Sequence, residues 1–189
     1  SADKLDLIDK RFLAFHISGG TTDLVFCEPD SESIIKITPF SSSNDLKAGQ
    51  AVDRIGVKMG LLFPAGAELE KLAVKSEKKY KNKIKLYDGC CSLSGLENKC
   101  LKMLEDGSSK EDTAKFLLDF ITDTIISMTE HAMNIYGDLP IVFAGGVMSN
   151  KIIRKQLENE FDCYFAEPAF SCDNAAGTAV FAALKGNCK

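Results

Sequence analysis

Residues 12–38 read FLAFHISGGTTDLVFCEPDSESIIKIT, and this stretch decides the fold class. Phe12–Ile17 is a short apolar run of strand length. Ser18-Gly19-Gly20-Thr21-Thr22 interrupts it as a tight turn, and Leu24–Cys27 resumes as a second strand. Glu28-Pro29-Asp30-Ser31 reads as a second turn, and Ile34–Thr38, rich in β-branched residues, as a third strand. Three strands joined by short turns form a meander.

Beyond residue 44 the apolar period lengthens. Leu46, Ala48, Val52, Ile55 and Met59 recur at helical spacing, with Asp45 placed to cap or to complement the dipole. Glu68–Val74 reads as a short helix. Residues 75–110 are charged and irregular. They predict a strand pair or short helix, part of an insertion spanning about 63–110. Glu111–Tyr136 predicts a long amphipathic helix with Phe116, Phe120, Ile121, Ile125, Met128 and Ala132 as its buried stripe. Pro140–Phe143 and Cys163–Phe165 predict strands, with a helix over Asn150–Glu160 between them. Asp173–Leu184 predicts a helix of small residues. The order β-β-β-α, then α-β-α-β-α, predicts an α/β fold in which a mixed sheet carries helices on both faces. That is the ribonuclease-H-like lobe of actin-like ATPases, here spanning residues 3–189.

Composition narrows the class. The chain has 189 residues, 45% hydrophobic and 26% charged, as in an ordinary globular domain. No run approaches the ~20 apolar residues of a membrane span, and the polar start SADKLDLIDK is unlike a secretory signal. Seven cysteines without a Cys-x-x-Cys pair fit a reducing, cytoplasmic setting with free thiols. A net charge of −4 argues against independent RNA binding. Two histidines, His16 and His131, cannot by themselves build a multi-histidine metal centre.

Two diglycine turns follow strands. Ser18–Thr22 reads either as a plain hairpin turn or as an anion nest of backbone N–H groups. Ala144–Asn150 leads from a strand into a helix, a position that suits phosphate or nucleoside. Asn150 there is either a helix cap or a contact to a base edge. Asp53 is either a solvated helix residue or a grip on ribose hydroxyls. Asp173 is either an acid at a helix start or an oxygen ligand for a metal.

Five segments carry a resemblance: FLAFHISGGTTDLV (12–25), AGQAVDRIGVKMGLLFPAGAELEKLA (48–73), CSLSGL (91–96), IVFAGGVMSNKIIRKQL (141–157) and AEPAFSCDNAAGTAVFAAL (166–184). In this order and spacing they resemble the C-terminal half of the tRNA N6-adenosine threonylcarbamoyltransferases, a family once called O-sialoglycoprotein endopeptidases or glycoproteases. The resemblance implies a two-lobed protein holding ATP or threonylcarbamoyl-adenylate between its lobes. It implies that His16, Ile17, Ser18, Gly19 and Gly20 line this ligand. Asp53 then holds the ribose, Gly66 admits the nucleoside and Asn150 meets the adenine side. Asp173 supplies one ligand to a divalent metal, iron or zinc, completed by two histidines of the N-terminal lobe. The isolated lobe is then inactive, and tRNA and partner proteins engage the full-length assembly, with no membrane involved. Four positions depart from the family pattern. Thr21 stands for a histidine, Gln50 for a glutamate, Ala65 for a glycine and Glu97 for a lysine. Those departures keep alternatives open: a non-catalytic paralogue that binds nucleotide or a partner, then a metalloprotease, then an actin-like sugar kinase.

Overall fold

A computed structural model describes residues 2–167, 169 and 175–187. A 3-10 helix over Ala2–Asp9 leads into strands β1 (Phe12–Ile17), β2 (Thr22–Asp30) and β3 (Ile34–Ser42). Helices α1 (Ala48–Lys58), α2 (Gly66–Ala73), α3 (Ser94–Glu105) and α4 (Lys110–Tyr136) follow. Then come β4 (Ile141–Ala144), a 3-10 turn over Gly146–Ser149, α5 (Lys151–Glu160), β5 (Cys163–Phe165) and α6 (Ala175–Asn187). The five strands form one mixed sheet in the order β3-β2-β1-β4-β5. β1–β2 and β2–β3 are antiparallel, whereas β1–β4 and β4–β5 are parallel.

The β2–β3 hairpin is longer than the sequence predicts, and Pro29 lies inside β2. Pairing with β1 ends at Cys27, so the N–H that Pro29 lacks is not needed on that side. The turn closes instead at Asp30, whose carboxylate accepts from the Glu32 and Ser33 N–H groups.

One face of the sheet carries the core. Phe15, Phe143 and Phe165 align across β1, β4 and β5, their rings stacked 5.1 and 5.0 Å apart, close to the strand spacing. Leu13, Ile17, Leu24 and Ile141 join them and meet Val52 and Ile55 of α1, Leu69 of α2 and Ile153 of α5. Among the described residues the opposite face is more open, and His16 on it is exposed.

Helix α4 is the hub of the helical layer. Ser109 caps its start by accepting the Asp112 N–H, and Gly137, at φ +84°, ends it. The expected stripe is buried with Phe116 half-covered, and burial extends to Thr113, Leu117, Thr122 and Thr129, because α2, α3 and α5 all pack around α4. The irregular stretch contributes α3 and an extended segment. Asp45 lies outside α1. Its carboxylate accepts from the Ser92 and Ser94 hydroxyls and from the Leu93 and Leu46 N–H groups. Burial alone would raise this carboxyl, but those hydrogen bonds prevail and hold it well below the usual carboxylate range. Asp45 therefore ties the start of α3 to the β3–α1 loop.

Candidate nucleoside-binding site

Helix α1 is docked end-on against the first diglycine turn. Its leading N–H groups have no partner within the helix. Ala48 donates to the Thr22 hydroxyl at 2.9 Å and Gly49 to the Ser18 carbonyl at 3.0 Å. A Cβ at position 49 would lie 2.5 Å from the Gly19 nitrogen, so only glycine permits this approach. One turn further along α1, Asp53 faces the same space and accepts the Ala65 N–H at 2.8 Å, which fixes the start of α2. The second diglycine turn reaches the site by a similar close approach. Gly145 adopts φ +101° and packs against the Ile17 backbone, where any Cβ would collide.

The result is a cavity of about 400 Å³. Gly19 enters it from the first hairpin, and Gly49, Val52 and Asp53 from α1. Gly66, Ala67 and Glu70 come from α2, and Gly146, Val147, Ser149 and Asn150 from the turn before α5. Of the residues singled out in the sequence, Gly19, Asp53, Gly66 and Asn150 meet here. His16 lies exposed on the open face of the sheet, and Ile17 is fully buried in the core. Ser18 and Gly20 stay within the hairpin: the Gly20 and Thr21 N–H groups both donate to the Ser18 hydroxyl. Asp173 lies outside the described residues.

Glu70 escaped the sequence reading. Its Oε1 accepts the Lys151 N–H at 3.1 Å, at the positive end of α5. The signal was its position one turn after Gly66, visible only once α2 is known to start at the cavity. Asn150 is the cap of α5, accepting from the Ile152 and Ile153 N–H groups at 3.0 and 3.1 Å, and it also lines the cavity. Glu70 and Asn150 thus satisfy the first N–H groups of α5. The cavity is lined by two carboxylates, a hydroxyl, an amide, glycine backbone and the apolar side chains of Val52, Pro64, Ala67 and Val147, with no lysine or arginine. Such a lining suits the neutral, hydroxyl-rich nucleoside end of a ligand better than a phosphate. Its glycines differ in kind. A Cβ on Gly19 or Gly146 would meet nothing within 4 Å, and one on Gly66 only Val52 at 3.9 Å. Packing does not require glycine at these three positions, and each leaves room for a ligand.

The four departures fit the local structure. Thr21 contacts both His16 and Ser18 and pins the hairpin. Gln50 accepts the Lys47 N–H at 3.3 Å and so closes the first turn of α1. Ala65 is fully buried against Gly56. Glu97 pairs with Arg54 at 3.1 Å.

The sequence profile of the tRNA N6-adenosine threonylcarbamoyltransferases matches residues 6–180. The chain belongs to this family. The family member of Bacillus licheniformis is 33% identical over 190 residues, covering 89% of this chain and 54% of the relative. That of Kosmotoga olearia is 31% identical over 187 residues, covering 93% and 55%. The chain thus spans about half the length of the curated relatives it matches. In shape it is similar to full-length HypF in its phosphate- and nucleotide-bound form, with a TM-score of 0.74 at 14% identity over 95% of this chain and 40% of that one. It is also similar to HypF of T. kodakarensis, with a TM-score of 0.58 at 20% identity over 81% and 21%. These likenesses confirm the actin-like α/β fold.

No cluster of three or more His, Cys, Asp or Glu side chains able to hold a metal exists among the described residues. His131 packs against Phe40 and lies under Gly89, away from the cavity. Asp173, the ligand that the family resemblance implies, lies outside the described residues, so no chemical step is derived through a metal. No helix among them is long and apolar enough to cross a membrane.

Proposed function

We propose that this chain is the nucleoside-holding half of a threonylcarbamoyl-transfer site acting on tRNA adenosine. The ligand is ATP or threonylcarbamoyl-adenylate, and the other half of the protein completes the site. The observation that carries this reading is the gathering of Gly19, Asp53, Gly66, Glu70 and Asn150, from four separate segments, around one cavity. Asp53 and Glu70 each commit one oxygen to a backbone N–H. Their other oxygens are the acceptors for ribose hydroxyls, and the bare glycines let the nucleoside lie close to the backbone. Asp173 and two histidines of the missing half would hold the metal, whose role in the family chemistry is to polarise the reacting carbonyl.

Calorimetric titration with ATP and AMP tests the cavity. Asp53→Asn keeps the acceptor for Ala65 but loses the charge that grips ribose, and is expected to weaken binding at least tenfold. Gly66→Leu points its side chain into the cavity and is expected to abolish binding while the fold remains intact. Unchanged affinity in both variants would refute the assignment.

A second reading is favoured by Thr21, Gln50, Ala65 and Glu97: a paralogue that binds nucleotide or a partner without catalysis. Nucleotide binding without threonylcarbamoyl transfer by the full-length protein would select it.

A further inference from the structure

Along α4 an extended segment carries a row of lysines whose form is imposed by the helix beneath. Ser76 donates its hydroxyl to Asp112 at 2.6 Å. The Tyr80 N–H donates to Asp119 at 3.1 Å, and the Asn82 N–H to Asp123 at 2.6 Å, with the Asn82 amide adding a second bond at 3.0 Å. Ile84 and Leu86 then pack against the core. From residue 79 to 86 burial alternates strictly: Tyr80, Asn82, Ile84 and Leu86 are half-buried, and the lysines at 79, 81, 83 and 85 are exposed. Such alternation is that of an extended chain, in which side chains on one side recur about every 6.7 Å.

The cations of this row are largely unspent. Lys78, at the start, pairs with Asp112 at 2.6 Å, and Lys85 lies over the Tyr87 ring at 4.9 Å. Among the described residues Lys79, Lys81 and Lys83 have no ion-pair partner. Residues 75–85 hold six lysines and one glutamate, a net of +5 in a chain whose net charge is −4. The acidic average conceals a basic edge.

Like charges held at a fixed repeat repel, and a partner with negative charges at a similar repeat relieves that repulsion. Successive phosphates along one nucleic-acid strand have such a repeat, and an ammonium group binds phosphate as a point charge without strict geometry. A membrane-binding face would set apolar or aromatic side chains outward beside the cations. Here the apolar residues between the lysines point inward. We infer that residues 79–85 form a docking edge for the phosphate backbone of an RNA strand, separate from the nucleoside cavity. The choice of RNA rests on the tRNA-modifying function proposed above; the polyanion character does not.

The 189-residue chain is titrated with an unmodified tRNA transcript at stepped potassium chloride. Its affinity is expected to fall with salt at a log–log slope of about −2 to −3, the value for three or four phosphate contacts. The Lys79→Glu, Lys81→Glu, Lys83→Glu triple variant is expected to bind at least about tenfold more weakly at low salt and to lose about two units of that slope. The matching Lys→Arg triple variant is expected to retain both affinity and slope. ATP titrations on the same proteins separate the two proposals. The glutamate triple should keep nucleotide binding, and Asp53→Asn should keep the tRNA salt slope. Loss of nucleotide binding in Asp53→Asn with lysine-dependent tRNA binding supports both proposals; failure of ATP to bind any variant refutes only the cavity. No tRNA binding by the wild-type chain at low salt, or equal affinity in the glutamate triple, overturns the docking edge. Lysine-dependent binding to phosphatidylserine vesicles or to polyglutamate in preference to tRNA also overturns it.

Discussion

At the cavity, Asp53 and Glu70 each hold one backbone N–H and keep the rest of the carboxylate turned to open space. Along α4, Asp112 and Asp119 have both carboxylate oxygens engaged. Asp119, 3% exposed, accepts from Lys115, Gln156 and the Tyr80 N–H, and Asp112 accepts from Ser76 and Lys78. In the first region the acids leave acceptor oxygens open to the cavity and the surrounding backbone supplies the shape. In the second they fix a backbone, and the free charges are the lysines it displays. The same side chain thus has two roles, and they are told apart by how many of its acceptor positions the fold already occupies.

The sharpest way to break this contrast is Asp119→Ala. It strands Lys115, whose side chain is 13% exposed, and releases the Tyr80 N–H and Gln156. Removing one member of a buried pair costs roughly 3–5 kcal/mol. Urea unfolding should show that loss, and amide exchange at Tyr80 and Asn82 should quicken while the cavity residues keep their protection. Next in size is Gly145→Ala, which places a Cβ against the Ile17 backbone in a region only glycine adopts. We expect a loss of about 3 kcal/mol in urea unfolding, together with loss of nucleotide binding but not of the lysine-dependent tRNA slope.

Asp45→Asn is expected to cost about 1–2 kcal/mol, a value reduced for its exposure to solvent. It also carries a pH signature. The folded state holds the Asp45 carboxyl well below the unfolded value of about 3.9, so the wild type has this stability in full above about pH 4–5. The stability is lost as the pH falls toward the folded value, and Asp45→Asn should flatten that part of the acid unfolding curve. The smallest effect concerns thiols. Burial pushes Cys27 and Cys91 up to about 11 and Cys100 up to about 12. At pH 8 the half-buried Cys90 should therefore react with Ellman's reagent before these three, with mass mapping of the labelled peptides as the check. Equal labelling would refute the packing around α3.

Much of this was legible beforehand. Strands β1 and β5 lie at their predicted bounds, and α4 and α5 within a residue of theirs, because each is a run with a clear apolar period and a marked end. The 3-10 helix over Ala2–Asp9 was not foreseen, since a polar start of that length carries no period. The hairpin end near Pro29 was misplaced, because proline signals a turn unless the tertiary neighbour on its N–H side is known to be missing. Of the residues singled out in the sequence, Gly19, Asp53, Gly66 and Asn150 line one cavity, whereas Glu70, which also lines it, was not singled out and His16, Ile17, Ser18 and Gly20 do not line it. An exposed-looking glutamate on a helix has no local mark of function. A residue beside a glycine turn takes its side of the strand from the alternation, and that of β1 sends Ile17 into the core and His16 to the open face.

Local periodicity and turn chemistry, which act over a few residues, determined most strands and helices of this chain, and five ordered segments carry its family resemblance. Tertiary structure alone decided which glycine is needed for packing and which leaves room for a ligand. It also decided that an acidic chain presents a basic edge. Both depend on contacts between segments 30 or more residues apart, such as Gly49 on Ser18 and Asn82 on Asp123, and no local pattern in the sequence encodes such distances.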